Sequence, residues 1–171
     1  LLTRGIAALR YSTPLSAPQG KVSYHVVLRP PYTLEMLRSQ ARNGVRRGLS
    51  RFQVERIPFE RLAVEGWALQ ADTLARQERT KSMDQGEWQR ICRAAEGLPG
   101  FEAWGATCEG ELAAALLTAR VDDRWCVPYA LSHSRFLREH VNNALFYTVS
   151  SDLLARERVA ELFFTLQSLD A

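Results

Sequence analysis

Residues 38–52, RSQARNGVRRGLSRF, carry five arginines, and Arg38, Arg42 and Arg46 recur every four positions. That step places side chains side by side along one flank of a helix. A guanidinium is a planar fork that grips phosphate or carboxylate with two hydrogen bonds. A row of forks suits an anionic ligand; the same row turned to solvent, with Glu35 as ion-pair partner, is a solvated flank worth little energy. A second set of polar groups follows. Between Pro58 and Arg79 the apolar residues Phe59, Leu62, Ala63, Trp67, Leu69 and Leu74 share one helical arc, and Gln70, Thr73 and Gln77 enter that arc near its end. Buried amides need hydrogen-bond partners, so this end of the helix is expected to overhang a cleft, with Arg76 beside it. The first prediction for the site is that Arg38, Arg42 and Arg46 form one wall of that cleft and Gln70, Thr73, Arg76 and Gln77 the other.

The elements that must position these groups can be traced along the chain. VSYHVVL (22–28) reads as a strand closed by Pro30-Pro31, after a loop over residues 12–20. Thr33 is a plausible N-cap for a helix through about Leu49. FQVERI (52–57) alternates as a strand, and Pro58 opens a helix running to about Arg79. EWQRICRAAEGL (87–98) is a short helix ended by Pro99-Gly100. Residues 101–132 then read as three strands joined by tight turns at Glu109-Gly110 and Asp122-Asp123, an antiparallel meander. A helix from about His140 to Arg156 and a strand over 159–169 complete the order. This pattern predicts an α/β arrangement, a mixed twisted sheet of about six strands flanked by helices.

Length and composition allow one domain with a proper core: 171 residues, 46% hydrophobic and 24% charged. Residues 1–20 read as a leader remnant and loop, and 21–171 as a single domain truncated at its C-terminus. The net charge of +3, with lysine only at Lys21 and Lys81, tolerates acidic or phosphorylated partners without calling for nucleic acid. Base stacking would need aromatics interleaved with the arginines, and the 38–52 stretch lacks them. Cys92, Cys108 and Cys126 show no CxxC spacing and read as reduced, small apolar residues of a cytoplasmic protein. The longest apolar run, LAAALLTA (112–119), is too short to span a bilayer. No zinc spacing, Walker loop or nucleophile elbow is present, so no metal is expected.

Taken in order, RSQARNGVRRGLSRFQVERI, ADTLARQER with EWQRI behind it, FEAWGATCEGELAAALLTARVDDRWCVPYALSHS and NNALFYTVSSDLLA resemble the FemAB-like branch of the GNAT N-acyltransferase superfamily. The resemblance covers about residues 33–170 and corresponds to a C-terminal GNAT-type domain. Its elements are a basic R-x-x-x-R-R helix followed by a strand, a helix ending in T-x-x-R-Q, a meander with a glycine-centred first turn, and a helix before the final strand. It implies a splayed GNAT-like sheet and transfer of an acyl or aminoacyl group to an amine of a cell-envelope or polysaccharide precursor. The implied donor is aminoacyl-tRNA or an acyl thioester, with no resident cofactor. The implied partners are an anionic small-molecule or glycan precursor, tRNA, and a companion GNAT-like domain. The alternative is a non-catalytic GNAT-like lobe that binds an anionic ligand or packs against such a companion.

One stretch departs from the superfamily pattern. Acetyl-CoA-dependent members carry a glycine-rich loop whose N–H groups hold a pyrophosphate at a helix N-terminus. Here the equivalent, SHSRFLREHVNNA (132–144), has no glycine, which argues against that mode of donor binding. For the transfer itself an amine must lose a proton. His133, just past the third meander strand, is the candidate catalytic acceptor, and a surface loop histidine is its bland alternative. Asn142 and Asn143 open a helix, where they serve as caps or as substrate hydrogen-bonding groups. Arg76 and Gln77 gain most from the resemblance, since T-x-x-R-Q faces the cleft in that family. An ion pair of Arg76 with Asp72, one turn back, is the competing reading.

Overall fold

The computed structural model describes residues 23–78 and 83–168, together with Ser16; for 23–25 and 165–168 it describes the backbone alone. The leader remnant expected over 1–20 lies outside these residues, Ser16 apart. The strands are β1 (Ser23–Leu28), β2 (Gln53–Arg56), β3 (Phe101–Cys108), β4 (Glu111–Val121), β5 (Arg124–Ser132) and β6 (Glu161–Ser168). The helices are α1 (Ser39–Arg51), α2 (Phe59–Val64), α3 (Gly66–Arg76), α4 (Gln85–Glu96) and α5 (Val141–Leu154). They form one six-stranded sheet in the order β1-β6-β5-β4-β3-β2. Every pair is antiparallel except β5 with β6. The mixed sheet and the meander over 101–132 are as the alternation and turns predict.

Glu109 and Gly110 both take positive φ, 53° and 82°, which is the twist-matched geometry of a two-residue hairpin. That turn sends β4 up the middle of the sheet, where both faces are covered. Its run of apolar residues divides between them. Ala114 and Leu116 join the core under α5 with Trp125, Leu145 and Leu153. Ala115 and Leu117 join the core under α2, α3 and α4 with Leu62, Leu69 and Trp88. The result is three layers, with α5 on one face of the sheet and α2–α4 on the other.

Two expected helices differ. The helix placed at 33–49 starts at Ser39, because Leu37 is extended (φ −77°, ψ 143°) and closes a 3₁₀ turn over Leu34–Met36. Arg38 is therefore the N-cap residue of α1 rather than part of its flank, and Leu49 is 42% exposed. The helix placed at 58–79 is two, α2 and α3, interrupted at Glu65.

The glycines of α1 decide how it packs. A Cβ on Gly44 would lie 3.1 Å from Asn143 Nδ2, and one on Gly48 would lie 2.5 Å from the His140 carbonyl oxygen and 2.9 Å from Ala144 Cβ. The glycine face thus seats α1 on the N-terminal turn of α5. Alanine at 48 gains about 1 kcal/mol of helix propensity, but the atom it meets is backbone. The overpacking cost of about 1–3 kcal/mol should win. Gly48→Ala is expected to lower Tm by several degrees in thermal unfolding, while the substitution at exposed Gly86 should not.

Candidate functional site

β5 and β6 are paired only at Arg124–Cys126 with Glu161–Phe163. Beyond that, β5 stays with β4 as far as Ser132 and β6 stays with β1 as far as Ser168, so the two strands part and open the sheet. The parting coincides with a register shift. Cys126 faces Ala119 and Tyr129 faces Leu117, which leaves Val127 and Pro128 together opposite Thr118, the pattern of a bulge. Pro128 has no N–H to offer a neighbouring strand. A cleft of about 560 Å³ fills the opening. One wall is α3, with Gln70, Thr73, Leu74 and Gln77; another is the freed edge of β5 from Val127 to Leu131; Phe146 of α5, Phe164 of β6 and Met83 complete it. The Phe146 and Phe164 rings lie 5.4 Å apart, tilted at 54°, and Tyr129 meets the Trp88 ring edge-on at 5.4 Å. None of the described lining residues carries a charge.

At one end of the cleft, α3 is tied to the end of β5 by a polar node. Thr73 Oγ1 donates to the Ser132 carbonyl at 3.4 Å and accepts from the Ser132 N–H at 3.1 Å. Arg76 Nη2 donates to the same carbonyl at 2.9 Å and to Ser132 Oγ at 3.1 Å. Asn142 Nδ2 reaches Ser132 Oγ at 3.5 Å. Asp72 accepts from the N–H and hydroxyl of Ser134 at 2.8 and 2.9 Å and pairs with Arg76 Nε at 3.4 Å. The ion pair set against a cleft role for Arg76 is thus present, and the same guanidinium also holds Ser132.

His133 Nδ1 lies 3.1 Å from Asp72 Oδ2 and 3.3 Å from the Arg135 N–H. One nitrogen cannot serve both at once: protonated, it donates to Asp72 and leaves Nε2 as the free base; unprotonated, it caps the 3₁₀ turn over Ser134–Glu139. His133 is not among the residues lining the cleft. Burial alone would raise the Asp72 carboxyl, but the Ser134 hydrogen bonds and the nearby His133 and Arg76 outweigh it and hold its pKa below the usual value. A lowered carboxylate stabilises the fold above its unfolded pKa and loses that contribution as pH falls through the folded one. Asp72→Asn should therefore flatten the acid-unfolding curve below about pH 4, measured by circular dichroism against the parent.

The structure brings Gln70, Thr73 and Gln77 into the cleft and Thr73, Arg76, Asn142 and His133 into or beside the node. It does not bring the arginine flank there. α1 packs on α5, on the face of the sheet opposite α3, so the two were not the facing walls that the spacing suggested. Which side of α1 turns inward follows from Gly44 and Gly48, not from the arginines. Arg42 and Arg46 instead stand near Glu35, whose carboxyl is held low chiefly by its own backbone N–H and the Thr33 hydroxyl, with the two guanidinia adding to it. Asn143 packs where α1 crosses α5. The freed β5 edge, Phe146 and Phe164 were not anticipated. Pro128, inside an otherwise regular strand, is the one local sign of them. The glycine-free segment is a 3₁₀ turn ending at His140 in the left-handed region (φ 64°). Cys92 and Cys108 are buried, and burial pushes the Cys92 thiol up to about 12. Among the described residues no cluster suits a metal ion and no helix is long and apolar enough to cross a membrane.

No family profile matches this chain, and no curated protein does. Solved structures match it in shape. FemX superposes with a TM-score of 0.72 at 13% identity over 86% of this chain, which spans about half, 54%, of FemX. An aminoglycoside acetyltransferase, meta-AAC0020 from an uncultured soil metagenomic sample, gives 0.54 at 12% identity over 68% of this chain and 78% of its own. Ribosomal-protein-alanine N-acetyltransferase from Brucella melitensis biovar Abortus 2308 gives 0.52 at 17%, over 67% and 79%. Identities this low speak for architecture and not for substrate. The chain has the GNAT-like fold that FemX and these acetyltransferases share.

Proposed function

We propose that this chain is the GNAT-type lobe of an N-acyltransferase, which moves an acyl or aminoacyl group onto an amine of a cell-envelope or polysaccharide precursor. The observation that carries the proposal is the parting of β5 from β6 over an open cleft. A freed strand edge offers N–H and C=O groups to an extended, amide-bearing chain, and N–H groups fixed beside a reacting carbonyl also stabilise the oxyanion that forms there. In the reaction the amine nitrogen attacks the donor carbonyl. A C–N bond forms, the C–S or C–O bond to the carrier breaks, and the ammonium proton must leave. His133, beside the Ser132 node with Nδ1–H turned to Asp72, would take that proton at Nε2. Arg38, Arg42 and Arg46 lie apart from this chemistry, and their role would be to hold a tRNA backbone or diphosphate against the other face.

The test is an acyl-transfer assay of the chain within its full-length protein, with acyl thioesters and aminoacyl-tRNA as donors and amine-bearing wall and polysaccharide precursors as acceptors. A product heavier by one acyl group supports the assignment. Donor binding without product from any pair would favour a non-catalytic lobe.

A further inference from the structure

α1 carries four arginines and no acidic residue over Ser39–Arg51, and a fifth, Arg38, is its N-cap. Arg51 is paired with Glu139 and Glu109. Among the described residues no ion pair engages Arg38, Arg42, Arg46 or Arg47; Glu35 is the one carboxylate whose charge responds to Arg42 and Arg46. Helix stability favours the reverse arrangement, because the first turn carries partial positive charge and prefers acids. An anion outside the protein would offset that cost. Two apolar side chains belong to the same patch. Leu49 follows Arg46 by three residues and Arg42 by seven, which keeps the three within about 60° of arc on the helix, and it is exposed. Met36, 62% exposed, shares the 3₁₀ turn of Glu35. A tRNA backbone or a diphosphate would use the arginines and leave Met36 and Leu49 in water. The interface of an anionic bilayer takes both kinds of group, guanidinia at the phosphates and apolar side chains at the acyl boundary.

We infer that the outer face of α1, with the 3₁₀ turn before it, is a peripheral docking surface for an anionic membrane, contacted through Arg38, Arg42, Arg46, Met36 and Leu49. The contact lies on the bilayer and does not enter it as a span. It goes beyond the acyltransferase reading and does not need it. α1 sits across the sheet from α3, so docking leaves the α3 wall of the cleft turned to solution.

The test sediments the full-length protein with vesicles of phosphatidylcholine alone or with about one-third phosphatidylglycerol, at about 0.1 M salt. Binding at least about tenfold tighter to the anionic vesicles is expected. Arg42→Gln with Arg46→Gln should weaken it roughly thirtyfold, about fivefold for each arginine at an anionic surface. Arg90→Gln, at an exposed arginine of α4 on the other face of the sheet, should change it less than about twofold. Met36→Ser with Leu49→Ser should weaken vesicle binding several-fold while leaving any retention of tRNA unchanged, since a nucleic-acid backbone answers to the charges. Each variant is checked by its melting curve, and if the arginine pair is destabilised the serine pair decides alone. Equal binding to both vesicle types, as great a loss from Arg90→Gln as from the arginine pair, or no loss from the serine pair would each overturn the proposal. Retention of tRNA through Arg42 and Arg46 without vesicle binding would assign the face to nucleic acid instead. No acyl donor enters this measurement, so its failure leaves the acyltransferase reading standing, and a failure of acyl transfer leaves the docking surface standing.

Discussion

Trp88→Ala should lower the stability of this protein by about 3–5 kcal/mol, the range for removing a fully buried large aromatic side chain. Trp88 is 0% exposed in the core under α2–α4. Its indole N–H donates to the Leu62 carbonyl at 3.1 Å, and its ring meets Tyr129 edge-on. The substitution therefore removes volume, a hydrogen bond, and the support behind one wall of the cleft. For a chain of this length about 2–4 °C of melting temperature accompanies each kcal/mol, so a fall of roughly 6–20 °C is expected in calorimetry. Trp88→Phe keeps much of the volume and should fall between the two. A change of less than about 1 kcal/mol in the alanine variant would mean that this core is not packed as described.

The largest effect on function is expected from Ala130→Trp. Ala130 lies on the freed edge of β5, is exposed, and lines the cleft. An exposed substitution of this kind changes stability by about 0.5 kcal/mol or less, so the melting curve should stay close to the parent. An indole at that point fills the space beside the strand edge that a donor would use. Positioning of reactants supplies on the order of 7–11 kcal/mol of a barrier, and losing the bound geometry should lower kcat/KM for acyl transfer by at least about a hundredfold. Unchanged transfer with an unchanged melting curve would move the reaction out of the cleft.

Much of the architecture was legible because it is written in local signals. The meander follows from Glu109-Gly110 and from apolar runs of strand length, and the polarity entering α3 at Gln70, Thr73 and Gln77 marked the cleft wall. What was not legible depends on contacts far apart in sequence. No feature of residues 33–38 announces that Leu37 turns extended and that α1 starts two residues later. The orientation of the arginine flank is set by Gly44 and Gly48 meeting His140, Asn143 and Ala144, about a hundred residues downstream. The cleft exists because β6 leaves β5 after three paired residues, and only Pro128 leaves a local trace of that. Asp72 carries information of both kinds. Its pairing with Arg76 follows from an i, i+4 spacing, whereas its bonds to Ser134 and its approach to His133 need the fold.

The claim that the donor occupies the opening between β5 and β6 is tested most directly by thiol protection at Ala130→Cys. The native cysteines are poor competitors for a thiol reagent: Cys92 and Cys108 are buried, and burial raises the Cys92 and Cys126 thiols, so little thiolate is present at neutral pH. The rate of maleimide labelling at position 130 is measured by mass spectrometry, with and without a saturating concentration of the acyl donor that supports transfer. Rapid labelling of the free protein and at least a tenfold slowing with donor is the result this structure predicts; equal rates with and without donor would contradict it.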